Sequence, residues 1–167
     1  QNTGPTTIEG AGAFDNRENC YNVAHTFDAL MTFDNGSTIN LTSGKNELIL
    51  TGSKGKVRVN RGGITGQIVD QIKSNKQMQE ILAAKNQEIY RGPVTPHMVN
   101  FFNCGKSRKL PISDVFTHHR SVSVCHLANI SMLLNRKLTW DPNKQDFVGD
   151  QEASKMISRE KRTGFEI

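Results

Sequence analysis

"CYNVAHTFDALMTFDNGSTINLTS" (residues 20–43) decides how the chain folds. Along it Val23, Thr26, Asp28, Leu30 and Thr32 interleave with Ala24, Phe27, Ala29, Met31 and Phe33, the two-residue period of a strand. The near-continuous apolar content of 27–33 predicts cover on at least part of both faces. Residues 34–37 carry an Asn-Gly pair, which favours tight hairpins, so 22–33 and 38–43 are expected to pair antiparallel.

The same reading extends on both sides. "TTIEGAGAF" (6–14) gives a first strand; "NELILTG" (46–52) and "GKVRVNRGG" (55–63) give two more, joined by a turn at Gly52–Gly55. Together they predict a meander of about four or five strands. The period then changes. Gln67 to Tyr90 is polar, with Ile68, Ile72, Met78, Ile81 and Leu82 as a thin apolar stripe, and reads as a broken, mostly exposed helix or loop. "HMVNFFNCGKSRKLP" (97–111) is a helix stopped by Pro111. A long helix is expected from about Ser113 to Arg136, with Ser113 as N-cap and Asp114 in its first turn. "KLTWDPNKQDF" (137–147) is a strand and turn, and "DQEASKMIS" (150–158) a short helix. Strands first and helices after them define an α+β class: an open, mainly antiparallel sheet with helices packed on one face.

The chain has 167 residues, enough for one domain with a real core. Its formal charge is +5, and the densest basic run, "SREKRTG" (158–164), is interrupted by a Glu. That pattern implies no nucleic-acid partner. No apolar run is long enough for a membrane span, so no membrane partner is expected. Cys20, Cys104 and Cys125 are far apart, odd in number and without a CxxC pair, which reads as buried free thiols rather than a disulfide frame or zinc ribbon.

Chemistry concentrates in "THHRSVSVCHLANI" (117–130). On a helix His119 and His126 stand two turns, or about 10 Å, apart, too far for one metal ion. His118 and His119 diverge by about 100° around the axis. No metal site is expected. Val122, Leu127, Ile130 and Leu134, with Ser123, Ala128 and Ser131, describe a helix laid closely on a sheet. The polar first turns, His118, His119 and Arg120, either cap the helix and pair with carboxylates or contact a ligand. Asn19, Tyr21, Asn22 and His25 bring hydroxyl and amide groups that read sugars, and the same residues are ordinary turn formers. Two glycine-rich runs fail as phosphate loops. "GAGAFD" (10–15) is followed by β-structure rather than a helix, and "GSKGKV" (52–57) has Val57 where a magnesium-holding hydroxyl is needed.

"NCYNVAHTFDALMTFDNGSTINLTSGKN" (19–46), "GSKGKVRVNRGGI" (52–64), "HMVNFFNCGKSRKLPI" (97–112) and the run from His118 to Arg162 resemble successive blocks of one domain. It is the bacterial-type C-terminal domain of the glucose–fructose oxidoreductase, inositol dehydrogenase and MocA family. The resemblance covers about Thr6 to Arg162. It implies a C-terminal domain related in type to that of glyceraldehyde-3-phosphate dehydrogenase. In the whole enzyme an N-terminal Rossmann domain, absent from this sequence, binds NAD or NADP. Residues 1–167 then form a single substrate-side and oligomerisation domain, inactive alone. The implied substrate is a sugar, polyol or derivative, the implied partner a second copy met through the sheet face. Asn19, Tyr21, Asn22, His118, His119 and Arg120 carry over as substrate-side contacts, with no catalytic residue in this segment. Two alternatives stay open: a non-catalytic carbohydrate- or protein-binding module, and an NAD-assisted glycosidase of the same family. The cytoplasm is the default location, with periplasmic export if a preceding segment carries a signal.

Overall fold

The structure, a computed structural model, describes residues 4–15, 17–19, 21 and 23–164. It forms two compact units, one from Gln1–Gly44 with Phe116–Ile167 and one from Lys45–Val115.

The first unit is an open five-stranded sheet carrying a long helix. Strands β1 (Thr7–Phe14), β2 (Ala24–Thr32) and β3 (Thr38–Thr42) are joined in the sheet by β7 (Leu138–Asp141) and β8 (Asp146–Phe147). Their spatial order is β3-β2-β1-β7-β8, antiparallel throughout. The 20–43 hairpin forms as its sequence dictates, with Thr32 opposite Thr38. Its tip is closed by Phe33 and Ser37 at 2.9 Å, with Gly36 at φ 78° and the Asn35 carboxamide accepting from the Ser37 N–H. Glycine takes that left-handed turn position without strain.

Helix α4 (Val115–Leu134) lies on the face bearing Ile8, Ala29 and Met31. Leu127, Ala128 and Ile130 reach down from it, and Leu138, Trp140, Phe147 and Ala153 complete the core, the last from helix α5 (Gln151–Lys155). Trp140 and Phe147 meet edge to face at 5.0 Å. The helix sits close because Gly10 has no side chain: a Cβ there would stand 2.8 Å from Met132 Cγ and 3.3 Å from the Ala128 carbonyl. The fully buried Ser131 hydroxyl exploits that approach. It accepts from the Gly10 N–H at 2.9 Å and donates to the Arg136 carbonyl at 2.8 Å. Buried polar groups need such partners, and this one fastens helix to strand at the centre of the unit.

The second unit holds β4 (Glu47–Gly52), β5 (Gly55–Asn60) and β6 (Gly63–Thr65) as a separate three-stranded antiparallel sheet, followed by α1 (Gln67–Ser74), α2 (Lys76–Tyr90) and α3 (His97–Ser107). The α1–α2 break falls at Asn75, whose side chain accepts from the Met78 N–H at 3.1 Å and so caps α2. Asn100 and Asp114 are buried: the Asn100 carboxamide accepts from the Ile112 N–H at 3.0 Å, and Arg91 stands 3.8 Å from the Asp114 carboxylate.

Four expectations are corrected. The strands do not make one meander, because β4 pairs with β5 and not with β3. Strand β2 is covered on one face only, as Thr26, Asp28 and Leu30 on the other are exposed. The long helix begins at Val115, so Asp114 precedes its first turn. Cys125 is exposed on the outward side of α4 and Cys104 is half-buried, so neither is a core thiol; Cys20 lies outside the described residues.

Candidate functional site

The α4 helix and the β7–β8 hairpin flank a half-open cavity of about 30 Å³. Leu127, Trp140 and Pro5 form its apolar floor, while His119, Arg120, Ser123 and Gln145 supply its polar lining. The spacing explains the helical contribution. Residues 119, 120, 123, 124 and 127 fall on one flank of a 3.6-residue helix, and the sheet end supplies the aromatic floor.

Gln145 comes from the hairpin turn. Asp141 shapes that turn, its carboxylate accepting from the N–H groups of Asn143 and Lys144 at 2.9 and 3.1 Å and its carbonyl from the Gln145 N–H at 2.8 Å. Gln145 is left-handed, at φ 54°. Glycine or asparagine fits such a position with less strain, and the turn aims the Gln145 side chain at α4. Its carboxamide oxygen stands 3.3 Å from His119 Nε2. One step along the helix, Ser123 donates its hydroxyl to the His119 carbonyl at 2.8 Å.

His119 and Arg120 are thus brought together at the cavity. His118 is not among its lining residues, since a 100° step carries it to the exposed side of α4. Asn19 and Tyr21 lie in the β1–β2 connection, Asn19 at φ 58° and Tyr21 89% exposed. The length of β1, about 26 Å for its eight residues, separates that connection from the Gly4–Pro5 end where the cavity lies. Asn22 is outside the described residues. In the same connection the Arg17 guanidinium pairs with Asp15 and holds its carboxyl below the usual range. Sequence reasoning passed over Gln145 and Trp140. The signal for Gln145 was its place after the Asp-Pro-Asn-Lys turn, where a long polar side chain is out of keeping with the backbone.

Neither glycine-rich segment forms a dinucleotide cradle. Gly10 and Gly12 lie inside β1, with Gly10 packed under Met132, and Gly52–Gly55 is the β4–β5 hairpin turn. A pyrophosphate site needs a helix N-terminus directly after the glycines. Neither segment fits the pyrophosphate of NAD or NADP, and no hydride-transfer step is assigned to them. Among the described residues no three His, Cys, Asp or Glu side chains converge as metal ligands, and no helix is long and apolar enough to cross a membrane.

An open antiparallel sheet under one long helix, with a polar-lined cavity at the helix's first turns, defines an α+β domain whose site lies beside its sheet. The sequence matches the oxidoreductase family, C-terminal alpha/beta domain, over residues 13–167. The chain belongs to that family, the C-terminal-domain group of the glucose–fructose oxidoreductase, inositol dehydrogenase and MocA enzymes. No curated protein and no solved structure matches it.

Proposed function

We propose that residues 1–167 are the substrate-side domain of a longer oxidoreductase that acts on a sugar, polyol or derivative with NAD or NADP held by a separate Rossmann domain. The observation that carries this reading is the family match over residues 13–167. The cavity agrees with it in kind. It has room for roughly two waters, far below the several hundred Å³ of a complete ligand pocket. Such a site grips one group of a substrate and leaves the rest to another part of the enzyme. His119, Arg120 and Gln145 orient that group by hydrogen bonds, which lowers the entropic barrier to reaction without supplying the chemistry. Asn19 and Tyr21 in the β1–β2 connection, and His118 on α4, contact substrate or partner outside the cavity; Asn22 lies outside the described residues.

The protein also associates with a second copy through its sheet. The surface offered for this is the exposed face of β1, β2 and β3, where Ala11, Ala13, Leu30 and Asn40 stand among the carboxylates of Glu9 and Asp28.

The test is to purify the full-length protein and follow NAD(P)H at 340 nm with a panel of sugars, polyols and sugar acids. Turnover with any of them is expected, and residues 1–167 alone give none. Glycoside cleavage without net NAD(P)H change would replace the dehydrogenase reading with redox-assisted hydrolysis. Absence of both reactions, with no cofactor bound, would leave a binding module.

A further inference from the structure

We infer that Asn35, at the tip of the β2–β3 hairpin, is a deamidation site of the folded protein, converted through a cyclic imide to aspartate and isoaspartate. Residues 33–37 and 60–62 carry the inference, independently of the proposed function.

Half of the chemistry is in the sequence. Asn35 is the only asparagine of the chain followed by glycine, and every other precedes a larger side chain. The backbone nitrogen of the following residue is the nucleophile that attacks the asparagine side-chain carbon, and a Cβ on that residue crowds it. Gly36 has none. At its φ of 78° the space where a Cβ would stand is open.

The fold supplies the other half. The Asn35 carboxamide oxygen accepts from the Ser37 N–H at 3.0 Å. That bond closes a ring containing both Asn35 Cγ and the Gly36 nitrogen, the two atoms that must join, and so keeps them near each other. It also sets a backbone donor on the oxygen that gains negative charge when the nitrogen adds, as an oxyanion hole does. One contact opposes the reaction: the Gly36 N–H donates to the Phe33 carbonyl at 2.9 Å. It is a single bond at an exposed tip, and such positions open locally at little cost.

The step balances with water as its only reagent. The Gly36 nitrogen loses its proton and bonds to Asn35 Cγ, and the side-chain amino group leaves as ammonia. Water then opens the imide, at Cγ to give aspartate or at the main-chain carbonyl to give isoaspartate. Nothing is oxidised or reduced. Either product adds a negative charge beside Asp34. Isoaspartate also lengthens the turn by a methylene, which disturbs the closure of Phe33 on Ser37 and loosens β3 at the sheet edge.

Asn60 is the internal control. Its carboxamide oxygen accepts from the Gly62 N–H at 2.8 Å and closes the same ring, but the enclosed nitrogen belongs to Arg61.

The experiment holds the full-length protein at mildly alkaline pH, folded and in guanidinium chloride, and digests it at intervals. Peptide masses locate the NH₂-to-OH exchange, and methyl transfer from S-adenosylmethionine by an isoaspartate methyltransferase reports isoaspartate. Folded Asn35 is expected to convert about as fast as in the unfolded chain, and about tenfold or more faster than Asn60. The rate should rise with pH, because the attacking nitrogen must lose its proton. Arg61 is exposed, and Arg61→Gly should bring Asn60 to within about threefold of Asn35. Asn35→Ser should remove the methyltransferase signal from the hairpin. Asn35 staying intact in the folded protein while the unfolded chain converts would overturn the inference and show that the Phe33 bond protects the tip. Equal rates at Asn35 and Asn60 in the natural protein, or no gain at Asn60 in Arg61→Gly, would overturn it as well.

Discussion

The two units of this chain are held together differently. Residues 1–44 and 116–167 bury a continuous apolar cluster from Ile8 to Ala153 that joins β1, β2, α4, β7, β8 and α5. Among the described residues of 45–115 the buried ones are polar, Asn100 and Asp114, while Leu48, Leu50, Ile64, Phe101 and Phe102 are each more than half exposed. Charge divides along the same line. The 45–115 unit carries twelve Lys and Arg against five Asp and Glu, and the other nine against eleven. The modest overall +5 therefore conceals one strongly basic unit and one slightly acidic one. One unit is organised by burial; the other is organised by hairpins, caps and short polar contacts, with apolar surface left over. Stability within a chain follows burial, so the candidate cavity belongs to the more stable unit.

Paired truncations break that comparison most directly. Ile8→Ala removes a fully buried side chain from the central strand and is expected to cost about 2–5 kcal/mol. Leu48→Ala removes one that is 55% exposed and should cost within about 0.5 kcal/mol. Urea unfolding of both variants checks this, and amide exchange should show β4–β6 opening well before β1 and β2. Comparable losses would mean that the 45–115 unit is covered in solution.

Ser131→Ala comes next. It leaves the Gly10 N–H and the Arg136 carbonyl without the hydroxyl that joins them, at an expected cost of about 1–3 kcal/mol. A change near zero would mean that water replaces the hydroxyl and that the close seat of α4 does not depend on it.

Burial also explains what the sequence made legible. The 20–43 hairpin and the 117–134 helix were readable because each alternates or repeats against a single buried surface. The separation of β4 from β3 was not. Residues 46–63 have the same strand propensity wherever they pair, and no local signal says which neighbour a strand takes. Half the site was visible for the same reason. His119 and Arg120 stand on a helix whose phase could be counted. Gln145 reaches them from a hairpin 26 residues further on, a meeting fixed only by the β1–β7 pairing. Asn19 and Tyr21 shared the right chemistry but sit at the other end of β1, beyond what composition can locate.

In the weakly buried unit the cap of α2 is the sharper probe. Asn75→Ala removes the side chain that accepts from the Met78 N–H, costing about 1 kcal/mol of helix stability. Because that unit lacks buried apolar contacts to propagate the loss, faster amide exchange should stay within residues 76–90. Exchange that also quickened in β1 or β2 would show the units unfolding as one.

The smallest expected effect depends on pH and lies at the end of the well-packed unit. The Arg136 guanidinium hydrogen-bonds Asp150 at 3.0 Å through two nitrogens, and the Asp150 carboxylate also caps α5 through the Ala153 N–H. Chiefly through Arg136, the Asp150 carboxyl titrates below its ordinary value of 3.8. A carboxyl whose pKa is lowered on folding binds its proton more readily unfolded. Its stabilising contribution is then complete above about pH 4 and is lost as pH falls through the folded value. Asp150→Asn keeps the shape but removes the charge. The urea midpoint of the variant should lie slightly below that of the natural protein at pH 7, and the gap should narrow as pH falls below 3.8 toward and through the folded value. A gap that persisted at acid pH would show that the ion pair is not its source; the cap cannot be either, since a carboxamide and a protonated carboxyl both still accept from the Ala153 N–H.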